Sequence, residues 1–449
     1  MVREKSFYQT LVRLAIPVAL QGFISLLVNQ ADTVMVSSLG DTVLAGVAQS
    51  NGATAFFTAA VSGMTSGSSV LIAQYWGRRD EDRIRWIFAM LAMLCLAIAV
   101  VVFSAVQIWP RWLLSRFTDI PEVLDAGLPY FRLVALSYLP FALTTALIGM
   151  LRSVEVVNVT LYTTTISLFS NIGLNYVLIF GKLGLPAMGV RGAAIATIIA
   201  RCVELAIVWW YLFYKQKQFS IKPKDFLRGD KLLWKDYVKF GMPVGFGDIQ
   251  WALVGVGKAA IIGRLGATMI AANTITTGLM ELGRVFSSSL TVGACVMIGM
   301  TVGQKDYKKT REYSNTIQIL FVCIGVVMAL CVYLLRGPYS ALYSNISVDA
   351  RQLANTLIAI GALTMIGTTY HASCFVGINR GAGDSRFVFT VDLICGWLVV
   401  LPLSALAAFV WHWPLWAVFL CLYIDQCFKW IIAFIRLRGN NWIRNVTRE

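Results

Sequence analysis

Residues 26–36 read LLVNQADTVMV, and they place a carboxylate, Asp32, late in an apolar run that begins near Leu11. A charged side chain at the middle of a bilayer costs roughly 2.5–3.5 kcal/mol on insertion scales, so its retention calls for a use. Two asparagines, Asn171 and Asn175, stand four residues apart in SNIGLNYVLIFG. On a helix that spacing puts both amides on one face, where they can offer carbonyl oxygens to a cation or bond a carboxylic acid. Asp32 with these amide oxygens is a set of hard ligands suited to Na⁺, and the carboxylate alone can take a proton. Either ion would cancel the charge that holds a cationic solute. The plainer alternatives are an interhelical hydrogen bond for the asparagines and a buried, hydrogen-bonded acid for Asp32.

Asp248, Lys258 and Asp392 share with Asp32 the lack of an opposite charge three or four residues away. A lysine at the depth of Lys258 is either neutral or paired with Asp32, Asp248 or Asp392. Other intramembrane charges have local partners: Arg201 with Glu204, Glu281 with Arg284, and Asp425 with Lys429 fall at helical spacing and can neutralise each other. Arg152, Arg380 and Asp384 fall at helix ends, where headgroups or loops are the expected contacts.

These residues must be carried by membrane helices. The chain has 449 residues, 58% hydrophobic and 14% charged, with a mean hydropathy of +0.70. A soluble protein could not cover that much apolar surface. About twelve stretches are long enough to span, near 11–36, 43–75, 87–108, 129–151, 160–180, 189–214, 238–263, 270–302, 317–335, 353–379, 388–410 and 412–436. The net charge of +15 is concentrated in alternate loops, such as Arg78, Arg79, Arg83 and Arg85, then Lys305, Lys308, Lys309 and Arg311. That is the positive-inside pattern, not a nucleic-acid footprint, and it predicts a multi-pass protein of the plasma (cytoplasmic) membrane with both termini cytoplasmic.

The chain is an internal duplication. Displaced by 226 residues, IPVALQGFISLLVNQADTVMVSSLGDTVLAG lies over MPVGFGDIQWALVGVGKAAIIGRLGATMIAA without a gap, matching Pro17 to Pro243 and Gly40 to Gly266, and the register holds as far as Asp80 and Asp306. Displaced by 228, LIGMLRS lies over FVGINRG and matches Arg152 to Arg380. Asp32 then corresponds to Lys258, an acid in one copy and a base in the other. Six spans per copy is even, so the copies enter the membrane from the same side, as in parallel-repeat transporters. The expected fold is an all-α polytopic membrane protein of twelve transmembrane helices in two six-helix lobes. The first lobe is expected at 1–214, a cytoplasmic linker at 215–237 and the second lobe at 238–449.

At NQADTVMVSSLG, NIGLNYVLIFGKLGLPAMGVRGAAIAT, IIGRLGATMIAANTI and GINRGAGDSRF, the chain resembles the multidrug and toxic compound extrusion (MATE) family, over nearly its whole length. The resemblance implies a secondary antiporter that exports drug-like, mostly cationic compounds in exchange for Na⁺ or H⁺ by alternating access. By the same resemblance, Asp32 falls on the first-helix acid and Asn171 on an asparagine of the fifth-helix cation site. Asn175 stands where one branch has a second Asp. Asp248 lies close to the seventh-helix acid, but the position that another branch uses reads Trp251. His371 and Thr369 occupy the tenth-helix region of polar or acidic residues.

Two other classes compete. A lipid-linked saccharide flippase of the same superfamily would want a basic cavity, for which Lys258 is the candidate. A membrane-embedded enzyme finds no HExxH, GxSxG or paired catalytic carboxylate, and histidine occurs only at 371 and 412. The nine cysteines all lie in apolar stretches without metal spacing and read as small hydrophobes. No cofactor is expected beyond the coupling ion. The expected partners are small organic cations and the bilayer, with the chain acting as a monomer.

Overall fold

The computed structural model describes residues 2–118, 120–215, 231–343, 347–439 and 441–447. Most of the expected linker, at 216–230, and Arg448 of the basic tail lie outside the described residues. The helices of the first repeat are α1 (Lys5–Ser37), α2 (Asp41–Gly77), α3 (Glu81–Ile108), α4 (Pro121–Ser153), α5 (Asn158–Phe180) and α6 (Val190–Trp210). Those of the second are α7 (Met242–Gly263), α8 (Ala267–Gly303), α9 (Tyr307–Ala341), α10 (Val348–Arg380), α11 (Ser385–Val410) and α12 (Leu415–Arg438). Eleven of these meet the length and apolarity of a membrane span. The other, α7, has 22 residues broken only by Asp248, Gln250 and Lys258 as strongly polar side chains. The chain is an all-helical, multi-pass membrane protein.

The duplication visible in the sequence recurs in the backbone. Gly40 and Gly266 take φ of 106° and 94° before α2 and α8, a region closed to most L-residues. Arg79 and Lys305 both sit at φ 61° before α3 and α9. The next residues, Asp80 and Asp306, each cap the helix that follows, accepting from the amides of Arg83 at 3.2 Å and Lys309 at 3.0 Å.

Two compact units result, Leu20–Gly245 and Met1–Ala19 together with Phe246–Glu449. The divisions fall at repeat-equivalent points, after Ala19 and Gly245, each two residues beyond the matched prolines Pro17 and Pro243. The start of α7 therefore packs with the first repeat, and the start of α1 packs with the second. Glycines permit both contacts. A Cβ on Gly63 of α2 would lie 2.8 Å from the Gly245 carbonyl oxygen, and one on Gly293 of α8 would lie 3.3 Å from Leu11. Within the first unit, α2 and α4 cross where Gly46 faces Gly127, and a Cβ on Gly46 would fall 2.7 Å from the Gly127 nitrogen.

Candidate functional site

The unit of the first repeat encloses a cavity of about 480 Å³ between α1, α2, α4, α5 and α6. Asp32 faces into it from α1, one of the charged side chains there; Arg201 of α6 is the other. Asn171 and Asn175 lie on the buried face of α5, 6% and 2% exposed. Asn175 donates from Nδ2 to Asp32 Oδ1 at 2.8 Å. With its amide turned to donate, Asn171 reaches Asp32 Oδ1 at 3.1 Å and Oδ2 at 3.0 Å. The helical spacing of the two asparagines thus converges both amides on one carboxylate. One atom is left over: Asn175 Oδ1 is buried without a hydrogen-bond partner. A buried acceptor without a donor costs about 1–3 kcal/mol.

The cavity wall is part aromatic. Phe57 stacks on Tyr138 with centroids 4.3 Å apart, and the Tyr138 hydroxyl is 2.8 Å from Thr54 Oγ1. Tyr130 donates to Asn51 Oδ1 at 3.2 Å. Arg201 lies over the Phe141 ring at 5.1 Å and pairs with Glu204 at 2.7 Å. From Glu204 a polar chain continues through Thr164 (3.4 Å) and Gln21 (2.9 Å) to the guanidinium of Arg152. Arg152 is therefore half-buried against α1, not spread on headgroups or loops.

In the other unit the expected lone acids have partners from distant parts of the chain. Asp248 of α7 accepts from Arg380 at 2.8 Å, so Arg380 is a buried ion-pair partner, 7% exposed, and not a headgroup contact. Arg152 and Arg380, matched in the repeat, thus each reach from the fourth helix of a repeat to its first. Asp384 takes Arg436 at 2.7 Å and Arg444 at 3.1 Å. Asp392 is held by Lys429 at 3.0 Å, which also holds Asp425 at 2.9 Å. Lys258 pairs with neither Asp248 nor Asp392; its Nζ stands over the Tyr423 ring, 4.7 Å from the centroid. His371 Nδ1 is 3.1 Å from the Gly367 carbonyl oxygen, and Thr369 is 3.4 Å from Ser287.

The family model MatE matches residues 17–177 and 248–406, one match in each repeat. The chain belongs to the MATE family. Curated relatives of this MATE protein include a "Probable multidrug resistance protein NorM" of Halalkalibacterium halodurans. It is 27% identical over 391 residues, covering 85% of this chain and 83% of that one. The "Uncharacterized transporter YisQ" of Bacillus subtilis is 25% identical and covers 98% and 96%. Among solved structures, "Crystal structure of MATE in the bent conformation" superposes with a TM-score of 0.86 at 19% identity, over 96% of this chain and 95% of that one. A transporter of the MOP superfamily from Pyrococcus furiosus, described by "reverse polarity of binding pocket", gives the same TM-score and identity. This MATE protein is a membrane transporter and not an enzyme.

Sequence reasoning placed Asp32, Asn171 and Asn175 in one site and missed Arg201 as a lining residue of that MATE cavity. The signal was present: Arg201 follows Thr197 by one helical turn on α6, and both line the cavity. Its pairing with Glu204 drew attention to neutrality instead of position.

Proposed function

We propose that the protein exports drug-like organic cations by antiport, with Asp32 as the group that a coupling H⁺ or Na⁺ and the substrate occupy in turn. The observation that carries this reading is the buried, unpartnered Asn175 Oδ1 beside an Asp32 that two amides already engage. An amide oxygen and a carboxylate together suit a hard monovalent cation, and the same carboxylate suits a proton. The relatives named as multidrug resistance proteins support the class of substrate, and Phe57, Tyr130, Tyr138 and Phe141 offer flat apolar surface to an aromatic cation.

The mechanism follows from charge. With Asp32 ionised and Arg201 neutralised by Glu204, the cavity has a net negative charge and attracts a cation. Binding of H⁺ or Na⁺ removes that charge and releases the substrate. A state carrying both is disfavoured, and that mutual exclusion turns an ion gradient into export. Alternating access, with the basic loops and both termini on the cytoplasmic side of the plasma membrane, completes the cycle. Reconstituted protein loaded with ethidium tests this when Na⁺ and pH gradients are imposed separately. Export driven by either gradient supports antiport; export indifferent to both refutes it.

A further inference from the structure

The second unit holds a different arrangement of charge. Lys429 of α12 is 4% exposed, and its single ammonium meets two carboxylates from two helices, Asp392 at 3.0 Å and Asp425 at 2.9 Å. Asp425 is itself 5% exposed, and its Oδ1 is buried without a hydrogen-bond partner, as is the side-chain oxygen of the adjacent Gln426. His371, Lys258, Cys395, Tyr423 and Cys427 are further titratable groups in electrostatic reach of the cluster, and Arg380 is in reach of Asp392.

The backbone is irregular at each contributing helix. In α10 a π-helical stretch, Ser373–Arg380, begins two residues after His371. Another in α11, Ile394–Val400, begins two residues after Asp392. The last span is interrupted, Leu415–Leu422 and then Asp425–Arg438, with Asp425 opening the second piece. Three spans thus change their hydrogen-bonding register around one charge cluster, an irregularity that recurs at functional sites in helices.

We propose that Asp392 and Asp425 form an alkali-cation site that the chain's own Lys429 ammonium fills, so that this unit takes no ion from solution. Two carboxylate oxygens at 2.9 and 3.0 Å from one positive centre place that centre as they would a large alkali ion. The tether makes the occupant permanent. Removing the ammonium leaves two buried carboxylates and the unpartnered Asp425 Oδ1 around an empty position, and a soluble cation of the same charge can take it.

The test uses full-length protein in an Asp32→Asn background, so that the increment is read independently of what Asp32 does. Thermal unfolding is followed in NaCl and in KCl against choline chloride at matched ionic strength. Adding Lys429→Gln is expected to make the Tm rise saturably with one of the alkali salts, a response its parent lacks. Adding Asp392→Asn to that variant is expected to abolish the response. Where Lys429→Gln does not survive extraction in choline chloride, recovery of monodisperse protein in NaCl or KCl supports the site. A Lys429→Gln protein that folds without any alkali-specific shift, or that is recovered in none of these salts, overturns it.

Discussion

Asn175 donates its amide to Asp32 across 2.8 Å while its own carbonyl oxygen stays buried without a donor. The donor fixes the carboxylate, and in the proposed mechanism the acceptor is a ligand for the coupling cation. Replacing Asn175 by Leu removes both. Under Na⁺ coupling, loss of an oxygen ligand worth about 1.5–3 kcal/mol, as for a hydrogen bond to a charged group, should lower the apparent ion affinity by roughly tenfold to a hundredfold. Initial efflux rates across a series of ion concentrations measure this, and an unchanged half-saturation would show that Asn175 does not hold the ion.

The Asp248–Arg380 pair should matter for folding more than for coupling. Arg380→Met leaves Asp248, whose side chain is 30% exposed, without its cation, a change that should destabilise by about 1–3 kcal/mol. The double variant Asp248→Asn, Arg380→Met should recover much of that loss. Thermal unfolding in detergent for the wild type, both single variants and the double gives the coupling energy, and additive effects would contradict a buried pair.

Gly46 and Gly127 set how closely α2 and α4 approach. Because a Cβ on Gly46 would lie 2.7 Å from the Gly127 nitrogen, Gly46→Val must separate the two helices. Overpacking of this kind costs about 1–3 kcal/mol and should lower the Tm by several degrees. It should also deform the wall of the cavity, so efflux should fall with it. A variant as stable and active as wild type would mean the crossing tolerates a wider spacing.

The positive-inside reading gives a direct topology test. In a cysteine-free background, a membrane-impermeant maleimide applied from outside should label a cysteine at Trp112. A cysteine at Lys305 should react only after permeabilisation. The reverse pattern would invert the orientation.

The spans and the first-unit site were legible in the sequence for a physical reason. Apolar length reports membrane crossing directly, and two asparagines at helical spacing share a face whatever packs against it. The partners of Asp248 and Asp392 were not legible. Arg380 lies 132 residues from Asp248 and Lys429 lies 37 residues from Asp392, and only helix packing brings them together. The i, i+4 spacing pairs Lys429 with Asp425, as the structure does, but spacing carries no sign that the same ammonium also serves Asp392. The membership of residues 1–19 in the unit of the second repeat was equally hidden, because α1 runs unbroken through the division. Hydropathy records where a helix is, and not which unit it packs with.

The central claim is that the Asp32 charge couples the ion to the substrate. Asp32→Asn keeps the shape of the side chain and most of its hydrogen-bonding capacity while removing the charge. Ethidium efflux from proteoliposomes, driven by an imposed pH or Na⁺ gradient, should be reduced to the rate of protein-free vesicles by this change, with insertion and unfolding temperature close to wild type. Gradient-driven efflux by Asp32→Asn at the wild-type rate would contradict the account and move the coupling away from this carboxylate.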